Sequence, residues 1–279
     1  MMKTFGLIVG LFFSSLLAKS ATVDTISIYS NAMHVSYNCV VIKPESYKRK
    51  GNHFPVVYLL HGWTGKYSDW IKKVPEIKKY ADLFQLLIVC PDGGVSSWYF
   101  DSPVDSTMRY ETYIALEVPA YIDLHYKTIR NRMSRAITGL SMGGHGAIFL
   151  SFRHADIFGA CGSMSGGLDL RDAKGKFEIP LRLGDTVLHA DNWKNYSVVT
   201  IVENKPQQPL HIIFDCGLDD FFYPGNKKTH EKLVLLKIPH DYIERPGQHD
   251  WNYWTNSVEF QLLFFKKYFA REQKIVNSE

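Results

Sequence analysis

The stretch AITGLSMGGHGAIFL, residues 136–150, places a serine between a strand-like run and a helix-like run. Ser141 has one glycine two residues before it, Gly139, and another two residues after it, Gly143. A sharp strand-to-helix turn exposes a serine hydroxyl, but it brings the flanking backbone so close to neighbouring elements that side chains there would clash. The pattern predicts that Ser141 is a nucleophile on such a turn. A glycine-rich turn with a capping serine is the alternative.

The chain around this turn alternates predicted strands and helices. Strand-like runs lie at 25–30, 34–42, 55–61, 86–91, 134–139, 158–165, 210–216 and 240–246. The first two alternate apolar and polar residues, as in an antiparallel edge pair, and several others are continuous apolar runs typical of buried parallel strands. Helix-like segments lie at 68–84, 110–126, 144–154, 225–238 and 250–270. This order predicts an α/β fold: a mostly parallel twisted sheet of about eight strands with helices on both faces.

One segment, residues 166–208, breaks the alternation and is rich in charge, glycine and turn residues. Its length suits an insertion above the sheet, either a cap or a substrate-binding flap. We expect it to belong to a single catalytic domain that spans residues 21–279.

Residues 1–20 have the layout of a secretory signal peptide: a lysine, an apolar run from 5 to 18, and small residues. The apolar run is short for a membrane span, and an uncleaved anchor or a buried strand is the alternative. Cleavage after Ser20 would remove Lys3 and Lys19 and lower the formal charge from +4 to +2. We therefore expect a secreted or periplasmic protein, without nucleic-acid partners and without stable membrane insertion.

The four cysteines each lie in or beside an apolar, strand-like run, and we expect buried free thiols: Cys39, Cys90, Cys161 and Cys216. They show no spacing typical of a zinc site, and the sequence gives no reason to expect a metal or another cofactor.

An acid and a base follow later strands in the order typical of α/β folds that carry the nucleophile on such a turn, with serine first, then the acid, then histidine. Asp219 and Asp220 come after the strand at 210–216, and His249 comes after the strand at 240–246. His249 would act as the base on Ser141, with one of the two aspartates orienting it. Asp250 would cap the final helix.

Two backbone N–H groups are candidate donors to an oxyanion. Met142 directly follows the nucleophile, and Trp63 lies on the loop after the strand at 55–61. His61, in the same loop, is interpreted as a brace, because His249 already fits the role of the base. Trp98 and Tyr99, with Phe100, follow the strand at 86–91, where they would form a wall for an acyl group or a sugar. Core or loop-anchoring aromatics are the alternative.

Six motifs in one order resemble a known family: YLLHGWTG (58–65), PDGGVSSWYFDSP (91–103), YETYIALEVPAYID (110–123), TGLSMGGHGA (138–147), DCGLDDFFY (215–223) and IPHDYIERPGQHDWNYW (238–254). The sequence from about 34 to 268 is similar to the esterase D and feruloyl-esterase-like group of α/β-hydrolases. That group includes carbohydrate esterase family one, tributyrin esterases and, more distantly, mycolyltransferases.

The resemblance implies an α/β-hydrolase fold, a nucleophile at Ser141 and a base at His249. It places the acid at the end of C-G-x-x-D, which is Asp220 here, and the oxyanion donors at Trp63 and Met142. The insertion departs from the family pattern, so the resemblance does not extend to the acyl or sugar preference.

Three functions are compatible with the sequence. The first is a secreted serine carboxylesterase that hydrolyses acetyl, short-chain or feruloyl esters, with a small molecule or a carbohydrate as the alcohol. The second is an acyltransferase that uses the same three residues, and the third is a non-catalytic binding module on a hydrolase scaffold. The sequence does not indicate an oligomeric state.

Overall fold

A computed structural model describes residues 20–173 and 175–276 of the chain. At its centre is one eight-stranded sheet, and each predicted strand coincides with one of its strands. The strands are β1 Thr22–Ser30, β2 Val35–Lys43, β3 Val56–Leu60, β4 Leu87–Pro91, β5 Arg135–Gly139, β6 Ala160–Met164, β7 His211–Gly217 and β8 Asp241–Arg245.

The strands lie in the order β1-β2-β4-β3-β5-β6-β7-β8. β1 pairs antiparallel with β2, β2 pairs antiparallel with β4, and every later pair is parallel. The predicted antiparallel edge pair and the mostly parallel α/β sheet are therefore confirmed. Because the strands from β4 to β8 are parallel, their carboxyl ends meet at the same edge of the sheet, where binding and catalytic sites form in such folds.

Helices cover both faces, as predicted. Their bounds are α1 Asp69–Lys73, α2 Ile77–Phe84, α3 Tyr110–Thr112, α4 Val118–His125, α5 Met142–Arg153, α6 Pro180–Leu183, α7 Ala190–Asn195, α8 Val198–Ile201, α9 Tyr223–Leu235 and α10 Trp251–Val276. Alternate residues of β3 enter two apolar clusters. Tyr58 and Leu60 face the helices from α3 to α9, whereas Val57 and Leu59 face α1, α2 and α10.

The single helix predicted over 68–84 is wrong, because the structure has two helices there, α1 and α2. Pro75 separates them. A proline has no N–H to donate, and it pushes the preceding residue out of the helical region. Val74 accordingly ends α1 with φ −121° and ψ 86°. In the segment predicted as a helix over 110–126, a π-helical turn, Tyr113–Glu117, joins α3 to α4.

Residues 166–208 connect β6 to β7 and contain a 3₁₀ turn, Leu170–Ala173, followed by α6, α7 and α8. The segment is bonded to the loop after β4. Arg182 Nε donates to Ser96 O at 3.2 Å, and its carbonyl accepts from Ser102 Oγ at 2.7 Å. These bonds hold the segment at the carboxyl edge of the sheet.

The predicted signal peptide lies outside the described residues except for Ser20. Within the described ranges, no helix combines the length and the apolar composition that a bilayer crossing requires. The four cysteines are free and buried, as predicted.

Candidate active site

Ser141 occupies the sharp turn between β5 and α5, with φ 55° and ψ −117°. A positive φ in a non-glycine residue is strained and must be held in place by its surroundings. A Cβ on Gly143 would lie 2.6 Å from the carbonyl oxygen of His61, and a Cβ on Gly139 would lie 2.7 Å from the Cβ of Leu60. The two glycines therefore allow α5 to pack directly against the end of β3, and this explains the spacing seen in the sequence.

The structure brings together the three residues proposed for the catalytic triad. Ser141 Oγ lies 2.9 Å from His249 Nε2, and His249 Nδ1 lies 2.8 Å from Asp220 Oδ2. The three side chains come from the loops after β5, β7 and β8, all at the carboxyl edge. This chain of hydrogen bonds lets the imidazole accept the hydroxyl proton while the carboxylate holds Nδ1–H.

Of the two neighbouring aspartates, only Asp220 contacts the histidine. Its side chain is buried, and its other oxygen, Oδ1, accepts the N–H of Phe222 at 2.8 Å. Asp219 is exposed. Asp250 caps α10, since its Oδ1 accepts the N–H of Tyr253 at 3.0 Å.

Two backbone N–H groups are free to bind an oxyanion. Met142 is the first residue of α5, so its N–H belongs to the positive end of a helix. Trp63 lies on the loop after β3 and lines the cavity that contains Ser141. Neither N–H is hydrogen-bonded to another residue in the part of the chain that the structure describes.

His61 is buried beneath the Trp63 loop, where it acts as the predicted brace. Its Nδ1 donates to Gly62 O at 2.8 Å, and its Nε2 accepts the N–H of Gly93 at 2.8 Å. Burial lowers the pKa of His61 below its usual value, which agrees with the neutral tautomer that these two bonds require. Tyr99 Oη donates to the carbonyl of the same histidine at 2.9 Å.

The prediction that Trp98 and Tyr99 form a wall of the substrate site is wrong, because both side chains are buried in the core. Their exposed fractions are 1% and 0%, and Phe100 is also fully buried. The loop after β4 turns these aromatic rings into the apolar cluster beneath α5, where they gain more by leaving water than they would at the rim. Trp98 Nε1 instead donates to the carbonyl of Phe177, at 3.1 Å.

Besides Trp63, five aromatic side chains surround the histidine or line the cavity around Ser141: Phe177, Phe221, Phe222, Trp251 and Trp254. This cavity has a volume of about 230 Å³ and also contains Trp63, Asp69 and Lys73. Phe221 and Trp251 are adjacent to Asp220 and Asp250 in the sequence, so nearness to the proposed catalytic loops could have identified them. Phe177 lies in the insertion, where no pattern in the sequence marks it.

A buried polar cluster supports the loop that contains His249. Asp215, in β7, accepts hydrogen bonds from Ser257 Oγ at 2.5 Å and from Gln261 Nε2 at 2.8 Å, both in α10. Arg245 Nη2, at the end of β8, lies 3.1 Å from the same carboxylate. Burial raises the pKa of Asp215, although Arg245 acts in the opposite direction. The cluster joins β7, β8 and α10 on both sides of the histidine loop.

Comparison with known proteins shows similarity to esterases and acyltransferases. The family model described as "Putative esterase" matches residues 30–265. The acetyl esterase of Caldicellulosiruptor saccharolyticus is 25% identical over 263 residues, covering 88% of this chain and 93% of that relative. The diacylglycerol acyltransferase/mycolyltransferase Ag85B of Mycobacterium avium is 34% identical over 242 residues, covering 73% of this chain and 72% of the relative.

A solved structure described as a ferulic acid esterase superposes with a TM-score of 0.75 at 27% identity, covering 89% of this chain and 98% of the other. The chain spans about half the length, 51%, of two matching esterases of Mycobacterium tuberculosis, at 27% identity over 240 residues. Because the family model covers most of the chain and the sheet has the expected topology, the protein belongs to the esterase family of α/β-hydrolases.

Proposed function

We propose that this protein is a secreted serine carboxylesterase that hydrolyses small acyl esters, with a carbohydrate or another small alcohol as the leaving group. The observation that carries this proposal is the continuous hydrogen-bonded chain from Ser141 Oγ through His249 to Asp220, with distances of 2.9 and 2.8 Å. Two unpaired N–H groups beside it supply the other requirement of acyl chemistry, which is stabilisation of an oxyanion.

In the first half-reaction, Ser141 Oγ attacks the ester carbonyl carbon while its proton passes to His249 Nε2. The Asp220 carboxylate holds Nδ1–H and offsets the charge of the imidazolium. The carbonyl oxygen becomes an oxyanion, which accepts hydrogen bonds from the N–H groups of Trp63 and Met142. When the tetrahedral intermediate collapses, the carbon–oxygen bond to the alcohol breaks, and His249 gives its proton to the departing oxygen.

In the second half-reaction, water takes the place of the alcohol. His249 removes a proton from the water as it attacks the acyl carbon, and the same two N–H groups bind the second oxyanion. The bond from the acyl carbon to Ser141 Oγ then breaks, Ser141 recovers its proton from the imidazolium, and the carboxylic acid leaves.

The cavity supports a small substrate with a polar alcohol. Its volume of about 230 Å³ leaves little room for a long acyl chain. Trp63 is 38% exposed, and an exposed indole face is a common platform for a sugar ring. Asp69 and Lys73, which also line the cavity, offer hydrogen bonds to hydroxyl groups. Acetyl and feruloyl esters of carbohydrate both combine an acyl group with such an alcohol.

Acyl transfer is the second candidate, favoured by the 34% identity to the acyltransferase Ag85B. It would use the same acyl-enzyme, and only the acceptor would differ. Release of free acid in the absence of any added alcohol supports hydrolysis. If turnover instead requires an added sugar, with the acyl group recovered on that sugar, transfer is the activity.

The proposal is tested with p-nitrophenyl esters of rising chain length, methyl ferulate and acetylated xylan, each compared with the Ser141→Ala variant. We expect Ser141→Ala to lose at least about 10³-fold in kcat while keeping the same thermal unfolding midpoint. If the parent protein is inactive on every ester, and an activated fluorophosphonate does not label Ser141, the protein is a non-catalytic binding module. Equal rates for variant and parent would exclude the serine mechanism.

A further inference from the structure

We propose that Phe177 is the residue that limits acyl chain length, because its ring separates the cavity at Ser141 from a second cavity lined mainly by apolar residues. This inference rests on the proposed esterase function and deepens it, because it assigns short acyl groups as the preferred substrates. It also gives the insertion at 166–208 a specific role in substrate selection.

The two cavities share a single residue among those that the structure describes. The first contains Ser141 and His249 and has a volume of about 230 Å³. The second has a volume of about 250 Å³ and is lined by Asp172, Ala173, Lys176, Phe177, Phe221 and Phe222. Phe177 lines both cavities, and we assign its side chain as the partition between them.

The ring of Phe177 is held on several sides. It packs edge-on against Trp63, with ring centroids 5.4 Å apart, and it stacks on Phe221 at 5.9 Å. Phe222 lies 5.8 Å away, and Phe221 and Phe222 both contact the ring of His249, at 4.3 and 5.3 Å. The rings of Phe221 and Phe222 therefore connect Phe177 to the proposed catalytic base.

The backbone at this position is unusual. Phe177 and Glu178 both have φ 56°, a left-handed conformation that costs free energy for residues other than glycine and persists only where the surroundings impose it. The indole N–H of Trp98 donates to the carbonyl of Phe177 at 3.1 Å and so fixes this conformation from the core side. Trp98 thus influences the substrate cavity through Phe177 without reaching the surface itself.

The aromatic lining of the second cavity favours an acyl chain. Four of the six residues that line it are apolar, Ala173, Phe177, Phe221 and Phe222, and the other two, Asp172 and Lys176, are charged. An extended hydrocarbon chain gains free energy by leaving water for the three phenylalanine rings and Ala173. Removal of the ring would join the two spaces into one groove that begins at Ser141.

The test compares the parent with Phe177→Ala on p-nitrophenyl acetate, butyrate, octanoate and decanoate. We expect the parent to prefer the two short esters, and we expect Phe177→Ala to raise the ratio of kcat/KM for octanoate to that for acetate at least about tenfold. Trp98→Phe, which removes the N–H but keeps an aromatic ring, should raise the same ratio by a smaller factor. Leu181→Ala, an exposed apolar residue of the same insertion, is the matched control and should leave the ratio unchanged.

Two further measurements make the result decisive. Ethyl and octyl acetate vary the alcohol instead of the acyl group. A gain for octyl acetate in Phe177→Ala, without a gain for octanoate, would overturn the assignment of the second cavity to the acyl chain. A crystal structure of Phe177→Ala should show one continuous groove from Ser141 to Ala173, and a Phe221 or Phe222 ring filling the gap would refute the partition.

The failure of this inference differs from the failure of the proposed function. An active parent with the same chain-length profile as Phe177→Ala removes only the role of Phe177. A parent that hydrolyses no ester removes the esterase proposal, and the crystal structure of the variant still decides whether Phe177 separates the two cavities.

Discussion

Asp220 Oδ2 lies 2.8 Å from His249 Nδ1, whereas the adjacent Asp219 is exposed and has no such contact with the histidine. Asp220→Asn should therefore lower kcat for p-nitrophenyl acetate by about 10³–10⁴-fold, because the amide can stabilise the wrong tautomer of the imidazole. Asp219→Asn should keep kcat within about threefold of the parent, since surface substitutions away from such contacts have small effects.

The pair of variants is informative because both remove one negative charge from the same loop. Equal losses in Asp219→Asn and Asp220→Asn would mean that the charge of the loop, and not a specific hydrogen bond, supports the reaction. A normal kcat in Asp220→Asn would remove the carboxylate from the mechanism.

Much of the fold could be predicted because each strand has a local signal. Apolar runs of five or six residues with turn residues on both sides indicate strands without reference to the rest of the chain. The spacing of Gly139, Ser141 and Gly143 could also be interpreted from the sequence, because the close approach of α5 to the end of β3 requires glycine on both sides of the serine. The distinction between Asp219 and Asp220 depended on a family motif, because both residues lie on the same loop.

The positions of Trp98, Tyr99 and Phe177 could not be predicted, because they depend on contacts between residues that are far apart in the sequence. Trp98 and Tyr99 follow a strand at the correct edge of the sheet, but the direction of their loop decides whether they line the cavity or enter the core. Phe177 is held at the site by bonds between the insertion and the loop after β4, at Ser96, Trp98 and Ser102. Long-range packing of this kind has no periodicity from which to predict it.

Gly143→Ala should damage both stability and activity. The new Cβ would lie 2.6 Å from the carbonyl oxygen of His61 and 2.8 Å from that of Leu60, and both are backbone atoms that cannot rotate away. The loop that contains the Trp63 N–H would have to move. We expect a loss of more than about 2 kcal/mol in the free energy of unfolding and at least about 10²-fold in kcat. Urea denaturation and initial-rate measurements check the two effects.

Gly51→Ala is the matched control for this variant. Gly51 has φ +81° and open space around its Cα, so an added Cβ meets no other atom. The change should cost about 1–2 kcal/mol through the left-handed backbone alone, and it should leave kcat unaltered. If Gly143→Ala behaved in the same way as Gly51→Ala, close packing at the turn would not be what requires glycine.

His145 should make the protein less stable in mild acid. It is buried in α5, its Nε2 donates to Tyr196 O at 2.8 Å, and aromatic rings surround it. Burial lowers the pKa of His145 from 6.5 to about 4. Between these two values the unfolded chain binds a proton that the folded protein does not bind. Stability is therefore lost as the pH falls from 6.5 towards 4.

The corresponding variant is His145→Phe, which suits the aromatic surroundings and cannot titrate. The difference in unfolding free energy between pH 7 and pH 5 should shrink by about 1–2 kcal/mol in the variant, whatever its stability at pH 7. Burial lowers the pKa of His61 in the same way, so part of the dependence of stability on pH should remain in the His145→Phe variant. Denaturation curves at the two pH values give the measurement, and an identical difference in parent and variant would contradict it.

The proposed secretion makes a prediction about the mature N-terminus. The N–H of Ala21 donates to Asp82 Oδ2 at 2.8 Å, while Asp82 Oδ1 accepts the N–H of Glu45 at 2.6 Å. Cleavage after Ser20 would turn the Ala21 amide into an ammonium group, and a charged donor strengthens such a bond. We expect the secreted protein to begin at Ala21 when its intact mass is measured.

The same contact can be tested by stability. Asp82→Asn should cost about 0.5–1.5 kcal/mol more in a protein that begins at Ala21 than in one that retains Ser20, because only in the first is the donor to the carboxylate itself an ammonium group. The bond from the Glu45 N–H to Asp82 is present in both parent proteins. Any effect of the substitution on that bond is therefore the same in both and cancels in the comparison. Equal costs in the two proteins would show that the charge at Ala21 does not contribute, and a mature mass that begins at another residue would place the cleavage elsewhere.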